Sequence, residues 1–272
     1  MIPQLFYTIK WEIRLTQCVK NSIIIRAVQI LFEGGKNEYK CGNVEVLDRE
    51  NRTEQEIKKE NINLNDIFYI CVKRIVGIIA GIVGVIILIP TTIILYIARI
   101  ILKENNGPLF YTQLRVGKNG REFVLYKYRS MCMDADDKLY EYLEQNPKAK
   151  EEYQKYKKLQ NDPRVTKLGK FIRKTSIDEL PQLINVLKGD MNLVGPRPYL
   201  HKEIKDMGDK YYKIISVKPG LTGYWQVNGR SNTDFEKRLQ MDCDYIDTRN
   251  LWSDFKFLLK TFLIIFKKDG AI

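Results

Sequence analysis

The longest hydrophobic run of the chain lies between residues 75 and 98 and reads "IVGIIAGIVGVIILIPTTIILYIA". It contains no charged side chain, and about 20 apolar residues suffice for a helix to cross a bilayer. Because the run is too apolar and too long for an ordinary core helix, it predicts a membrane helix over residues 66–103. Pro90 removes a backbone donor and clashes with the preceding turn, so a sharp kink or break is expected there.

This helix could either span the membrane with a kink or enter and leave it on the same side as a re-entrant hairpin. Neither arm alone crosses about 30 Å of hydrocarbon. Basic residues stand at both ends, with Lys73 and Arg74 before the run and Arg99 and Lys103 after it. A spanning helix usually has its basic bias on one side. The symmetry therefore favours a re-entrant hairpin over a kinked spanning helix, with Thr91 and Thr92 bonding to the freed backbone groups.

Small residues recur at helical spacing within the same run, in Gly77-x-x-x-Gly81 and in the overlapping Ala80-x-x-x-Gly84. Such a stripe lets two helix backbones approach closely. It predicts either contact with another helix of the chain or a homodimer through the Gly77/Gly81 face. The frequency of glycine in membrane helices is an equally good explanation.

The patterns after the membrane run predict a small α+β unit that is mostly helical. Asn119-Gly120, between "YTQLRV" and "EFVLYKY", is typical of a short β-hairpin. A charged helix follows, and then two helical stretches broken at "KTS", the second ending at Gly189. "DFKFLLKTFLIIFKK" resembles an interfacial amphipathic helix whose lysines face anionic membrane lipid. Residues 1–65 carry no recognisable chemistry and form an N-terminal extension of unknown role.

The net charge of +12 calls for an anionic partner, which could be nucleic acid, acidic lipid or a phosphorylated substrate. Nucleic acid is excluded because no nucleic-acid-binding signature appears and a membrane run is present. Five scattered cysteines without a C-x-x-C pair indicate neither a disulfide framework nor a zinc site. Phosphate-binding candidates are arginines beside glycine, proline or sharp turns: Arg129, Arg164, Arg173, Arg197 and Arg230.

Two adjacent acids, Asp178 and Glu179, have a structural and a chemical interpretation. The segment Ser176–Glu179 fits the S-x-x-E capping box, and acids in a first helical turn are stabilised by the helix dipole. Arginines and helix N–H groups around Asp178 would instead lower its pKa and keep it ionised as a nucleophile. Glu179 could then hold Mg²⁺ against a diphosphate. The local pattern alone favours the cap.

Three long segments in order resemble the bacterial sugar transferases, the monotopic phosphoglycosyl transferases. They are "LFYTQLRVGKNGREFVLYKYRSM", "DPRVTKLGKFIRKTSIDELPQLINVLKGDMNLVGPRP" and "KPGLTGYWQVNGRSN". The resemblance implies a re-entrant membrane helix over residues 66–103, broken at Pro90, and a catalytic domain over residues 104–272. It places the protein at the cytoplasmic face of the bacterial inner membrane.

The resemblance also implies a reaction, the first membrane step of exopolysaccharide, capsule or glycan synthesis. A sugar 1-phosphate passes from a UDP-sugar to undecaprenyl phosphate with release of UMP, as in transferases of class EC 2.7.8. Asp178 is implied as the nucleophile that forms an aspartyl phosphosugar, and Glu179 as the Mg²⁺ ligand. Further polar positions of the implied site hold phosphates or order it: Lys127, Arg173, Arg197, Arg230 and Asp242.

Two departures from the family pattern and two alternative functions accompany this interpretation. Ile89 stands where the family often has a serine before the proline, and about 65 residues replace the several membrane helices of longer members.

One alternative is a non-catalytic membrane scaffold of a polysaccharide assembly complex. The other is direct transfer in a single complex. "GYWQVNGRSN" resembles members that handle hexose 1-phosphates, while N-acetylated sugars stay open.

Overall fold

The computed structural model describes residues 64–104, 107–229 and 233–267, and within them the chain is mostly helical with two small sheets. The N-terminal extension before residue 64 lies outside the described residues. The helices are α1 (Leu64–Ile101), α2 (Ala135–Gln145), α3 (Pro147–Tyr156), α4 (Lys167–Lys174), α5 (Gln182–Lys188), α6 (Ile204–Met207), α7 (Lys210–Ile215), α8 (Tyr224–Asn228), α9 (Phe235–Thr248) and α10 (Leu251–Lys267). The strands are β1 (Phe110–Val116), β2 (Glu122–Tyr128), β3 (Asn192–Val194) and β4 (Gly220–Thr222).

The apolar run forms α1, a helix of 38 residues that is long and apolar enough to cross a membrane. The helix continues through Pro90, so a complete break into two separate helical arms is not observed. The hydroxyls of Thr91 and Thr92 donate to the carbonyls of Ile87 and Leu88 at 2.8 and 2.7 Å. Pro90 frees the carbonyl of Ile86, four residues before it, whereas these bonds go to the next two carbonyls. They therefore do not confirm the predicted role of the threonines at the freed backbone groups.

The small-residue stripe of α1 packs against α5 of the same chain. A Cβ atom on Gly77 would lie 3.2 Å from Cγ1 of Val186, and one on Gly81 would lie 2.8 Å from Cβ of Leu187. Only glycine allows the two helices to approach this closely. Of the two predicted uses of the stripe, contact with another helix is observed. Because α5 covers the Gly77/Gly81 face, this contact accounts for the stripe, and the homodimer through that face stays a prediction.

Basic residues at the start of α1 bind the body of the domain. Lys73 Nζ forms a salt bridge with Asp254 of α10 at 2.8 Å and donates to the Tyr245 hydroxyl at 2.8 Å and to the Val194 carbonyl at 3.0 Å. The Arg74 guanidinium donates to carbonyls of α5 at 2.7 and 2.8 Å. These charges therefore fix α1 to four other elements, namely α5, α9, α10 and β3.

The predicted hairpin is confirmed, with Phe110 paired to Tyr128 at one end and Val116 to Glu122 at the other. Asn119 lies in the left-handed region at φ 57°, as the Asn-Gly turn requires. The second sheet pairs β3 with β4 in parallel. Leu88 and Leu95 of α1 join the core around Tyr128, so the membrane run and the hairpin share one core.

The C-terminal helix α10 confirms the predicted element and shows where its lysines lie. Lys260 Nζ donates to Asn228 Oδ1 at 3.1 Å, and Lys256 Nζ lies 5.2 Å from the ring of Trp252. The helix buries Asp254 and exposes a stripe of large apolar side chains: Trp252, Phe255, Leu259, Phe262 and Leu263. The side chain of Lys267, and Lys268, lie outside the described residues.

Removing the buried charge at the base of α1 should destabilise the fold. We expect Lys73→Met to lower the free energy of unfolding by about 3–5 kcal/mol, because it leaves Asp254 buried without its cation. The double variant Lys73→Met/Asp254→Asn should recover part of the loss. The measurement is thermal unfolding in detergent. Lys213→Met, which breaks an exposed pair with Asp247, is the control and should cost under about 1 kcal/mol.

Candidate active site

Asp178 lies on a 3-10 turn, Ile177–Glu179, in the link between α4 and α5. The predicted break at "KTS" is confirmed, and Gly189 ends α5 at φ 87°. The capping-box interpretation is wrong. Ser176 adopts the left-handed conformation at φ 55° and makes no capping hydrogen bond, and α5 begins only after Pro181. The acids therefore stand before the helix, where its N–H groups do not hold them.

The side chain of Glu179 pairs with β2. Lys127 Nζ donates to Glu179 Oε1 at 2.9 Å, and the side chain of Glu179 is 42 % exposed. Lys127 sits in the register of the hairpin opposite Tyr111. A rigid sheet thus presents the ammonium group to the turn, and the two implied site residues are in direct contact.

Burial and charge give the two carboxylates different proton affinities. Burial of Asp178 raises the pKa of its carboxyl to about 6, against the attraction of Lys127 and Arg173 and with the repulsion of Glu179. The expectation of a lowered pKa for Asp178 is therefore wrong, because desolvation outweighs the cations. Burial acts in the same direction on Glu179, but Lys127 and then Arg197 hold the pKa of that carboxyl below its usual range.

The candidate arginines fall into separate groups. Arg173 faces Asp178, and its Nε donates to the Ser130 hydroxyl at 2.8 Å. Arg164 forms a salt bridge with Asp162 at 2.6 Å, which fits a structural role and not phosphate binding. Arg129 donates from Nε to the Pro108 carbonyl at 2.8 Å. Arg230 lies outside the described residues.

Asp242 positions the loop that carries Arg197. The carboxylate is fully buried, and its Oδ2 accepts the Arg197 backbone N–H at 3.1 Å and the Tyr199 hydroxyl at 2.8 Å. Its other oxygen, Oδ1, has no hydrogen-bond partner among the described residues. Burial raises the pKa of Asp242 to about 7 despite these bonds. The implied role of Asp242 in ordering the site agrees with this geometry.

Sequence reasoning missed Asn185, which joins α5 to β2. Its side chain is fully buried, accepts the Tyr126 backbone N–H at 3.1 Å and donates to the Val124 carbonyl at 2.7 Å. Tyr126 precedes Lys127, so the amide fixes the strand that carries the lysine. The one available signal was a polar amide inside the apolar stretch "LINVL".

The donor set around Glu179 suits a cation that arrives with a substrate. Among the described ranges no group of three or more His, Cys, Asp or Glu side chains could enclose a metal ion. Mg²⁺ is commonly bound through one or two carboxylates together with substrate phosphates. Glu179 offers one accessible carboxylate, so the residues fit Mg²⁺ bound jointly with a diphosphate.

Comparison with known proteins adds independent evidence. The model of the bacterial sugar transferase family matches residues 68–268. Undecaprenyl-phosphate galactose phosphotransferase of Salmonella typhimurium is 44 % identical over 73 % of this chain and 41 % of its own length. Galactosyl transferase CpsE of Streptococcus agalactiae is 41 % identical over 84 % of this chain and 51 % of its own length.

A shorter relative is matched over most of its length. Exopolysaccharide production protein ExoY of Rhizobium meliloti is 37 % identical over 73 % of this chain and 87 % of its own length. Four of the matched relatives are longer, and this chain spans about half of their length or less. The shared region contains the Asp178 turn, the hairpin and the Arg197 loop.

Loss of the Asn185 amide should lower both the stability of the fold and the turnover at the candidate site. We expect Asn185→Leu to lower the free energy of unfolding by about 2–5 kcal/mol, because two buried backbone groups lose their partner. Turnover by the folded fraction should fall as well, since β2 is released beside Lys127. Ile214→Ala, in a different core cluster, is a control of similar stability loss. Equal turnover in both variants would contradict the positioning role.

Asp242 should make the stability depend on pH. Its folded pKa of about 7 lies above the ordinary 3.8, so its contribution to stability falls as pH rises from about 4 to about 7. Asn cannot ionise, and Asp242→Asn should therefore gain about 2–3 kcal/mol relative to wild type between pH 5 and pH 8. Thermal unfolding of both proteins at these two pH values measures the change. A constant difference would show that Asp242 does not titrate in this range.

Proposed function

Because the chain belongs to the bacterial sugar transferase family, we propose that it transfers a sugar 1-phosphate from a UDP-sugar to undecaprenyl phosphate and releases UMP. The observation that carries the proposal is the environment of the Asp178 carboxylate. Its buried carboxylate faces Lys127 and Arg173 and accepts no hydrogen bond from another side chain of the described residues. An unengaged carboxylate between two cations is suited to attack a phosphate.

The reaction proceeds in two displacements at one phosphorus. An Asp178 carboxylate oxygen bonds to the β-phosphorus of the UDP-sugar, and the bond from that phosphorus to the bridging oxygen breaks. UMP leaves with the bridging oxygen, and the sugar phosphate stays on Asp178 as an acyl phosphate. An oxygen of undecaprenyl phosphate then attacks the same phosphorus and restores the carboxylate.

The neighbouring cations serve this reaction through their charge. Lys127 and Arg173 attract the phosphate oxygens toward Asp178, and the raised pKa of Asp178 of about 6 leaves it mainly ionised at neutral pH. Glu179 would hold Mg²⁺, which screens the diphosphate when bound. Arg197 is proposed to contact phosphate near Glu179, since its positive charge acts on that carboxylate.

The membrane is proposed to contact an apolar surface formed by the outward faces of α1 and α10. On α1 this surface exposes a stripe of isoleucines that includes Ile79, Ile82, Ile86, Ile93 and Ile97. Soluble proteins rarely expose an apolar patch of this extent. The Lys73–Asp254 salt bridge joins α1 to α10, which carries the second apolar stripe. Anionic lipid would meet the basic residues around this surface.

We propose a re-entrant course for α1, with both ends at the cytoplasmic face of the inner membrane. Near its start, Tyr69 donates to Asp254 at 2.9 Å, and beyond Pro90, Leu95 lies in the core with Tyr128. At its end, Arg99 donates to the Glu104 carbonyl at 2.7 Å. Packing against one domain on both sides of the proline supports a helix whose two ends stay on the same side.

Two other functions use the same fold and are separated by simple measurements. A non-catalytic scaffold would release no UMP from any UDP-sugar. Direct transfer in one complex would require lipid phosphate before UMP appears, whereas the covalent route allows exchange of labelled UMP into UDP-sugar without lipid. A panel of labelled UDP-hexoses and UDP-N-acetylhexosamines identifies the sugar.

The nucleophile is tested by Asp178→Asn, which keeps the size of the side chain and removes its nucleophilic oxygen. We expect sugar phosphate transfer and UMP exchange to fall by about a thousand-fold or more. The thermal unfolding temperature at neutral pH should not fall, because Asn removes a buried carboxylate whose ionisation is disfavoured by burial. The assay uses membranes supplied with labelled UDP-sugar and undecaprenyl phosphate. Asp247→Asn, in an exposed ion pair, is the matched control and should retain full activity. Normal turnover by Asp178→Asn would refute the assignment.

A further inference from the structure

A second group of cations surrounds Trp225, on α8. The Arg197 and Arg238 guanidinium carbons lie 5.8 and 5.1 Å from the centre of its ring, within the range of a cation–π interaction. Lys158 lies just after α3, two residues beyond Tyr156, whose carbonyl accepts a hydrogen bond from Arg238 at 3.1 Å, and the positive charge of both arginines acts on it. We call Lys158, Arg197, Arg238 and Trp225 the basic cluster.

The cations of the basic cluster lack carboxylate partners. Among the described residues no salt bridge includes Lys158, Arg197 or Arg238, whereas the adjacent Lys157 pairs with Asp206 at 2.9 Å. Burial and the two guanidinium groups lower the pKa of Lys158 to about 8. Glu152 and Glu179 attract Lys158 and Arg197 without forming a salt bridge with them. The three positive charges therefore repel each other, and a bound anion would relieve that repulsion.

The backbone and core hold the cluster in place. Lys158 stands between Lys157, which is anchored by Asp206, and Leu159, which is 6 % exposed. Arg238 donates from Nε to the Thr233 carbonyl at 2.9 Å and from NH2 to the Tyr156 carbonyl at 3.1 Å. Preorganised cations of this kind cost little further ordering when an anion binds.

Arg197 connects the basic cluster to the catalytic pair. Its charge acts on Glu179 on one side and on Lys158 and Arg238 on the other. A ligand with two linked phosphates could therefore have one phosphate at Asp178 and the other at the cluster. The donor in the proposed reaction is such a ligand.

We propose that the basic cluster binds the α-phosphate of the donor and of the UMP that leaves, an inference that rests on the proposed function. When the bond between the β-phosphorus and the bridging oxygen breaks, that oxygen remains on UMP and negative charge develops on it. Lys158 and Arg238 neutralise this charge. Trp225 is a positioning residue that aligns the two guanidinium groups.

The main test compares Lys158→Met with Lys155→Met, a matched control at an exposed lysine at the end of α3. For Lys158→Met we expect the KM for UDP-sugar and the inhibition constant of UMP to rise together by about 10- to 100-fold, as for loss of a charged hydrogen bond. The KM for undecaprenyl phosphate should not change. Lys155→Met should leave all three constants at their wild-type values.

The role of Trp225 is tested by rescue with another aromatic ring. Trp225→Leu should raise the same two constants, while Trp225→Phe, which retains a face for the guanidinium groups, should restore most of the UMP affinity. A purely structural role would change thermal unfolding and all substrates alike. An equal loss of UMP affinity in both variants would overturn the alignment role.

Direct binding separates this inference from the proposed function. Calorimetry of UMP with Asp178→Asn protein in detergent requires no turnover, and adding Lys158→Met to it should weaken UMP binding by the same 10- to 100-fold. The inference is overturned if Lys158→Met leaves UMP affinity unchanged, or if it raises only the KM for undecaprenyl phosphate. If Asp178→Asn turned over normally while UMP binding still depended on Lys158, only the assignment of Asp178 as nucleophile would be refuted.

Discussion

The close contact of α1 with α5 is the constraint on which the rest of the structure depends. It is possible only because glycines line the facing side of α1, which brings the backbone of α1 against Val186 and Leu187. The helix α5 directly follows the Asp178 turn and carries Asn185, which fixes β2 and with it Lys127. The apolar helix and the Asp178–Glu179 pair are thereby joined through one short helix. Any displacement of α1 would be transmitted to the carboxylates.

Some cations of the described residues form a salt bridge with a carboxylate and others do not. This difference separates the cations that hold the fold from those that are available to a substrate. Lys73 and Lys157 have carboxylate partners on other elements, and these pairs connect parts of the fold. Arg164 pairs with Asp162 within one loop. Arg197 and the remaining cations of the basic cluster have no such partner within the described residues. Since an uncompensated charge is costly, the unpaired cations are the ones that an anionic substrate would stabilise.

Placing a charged reaction beside an apolar surface has a physical logic under the proposed function. The two substrates differ in solvent preference, because a nucleotide sugar is soluble in water and a polyprenyl phosphate stays in the membrane. A buried carboxylate gains nucleophilic reactivity from desolvation, which the raised pKa of Asp178 reflects. The outward faces of α1 and α10 would bring that carboxylate to the depth of the lipid headgroups.

The sequence by itself determined the elements whose signals are local. The apolar run, the Asn-Gly hairpin, the break before α5 and its stop at Gly189 follow from composition and backbone preference. The resemblance singled out the Asp178–Glu179 pair before any geometry was available. Tertiary structure alone decided that the pair is no helix cap, that burial outweighs the cations at Asp178, and that α5 covers the glycine stripe. Desolvation and long-range contacts depend on residues far apart in the chain, which spacing along the sequence does not encode.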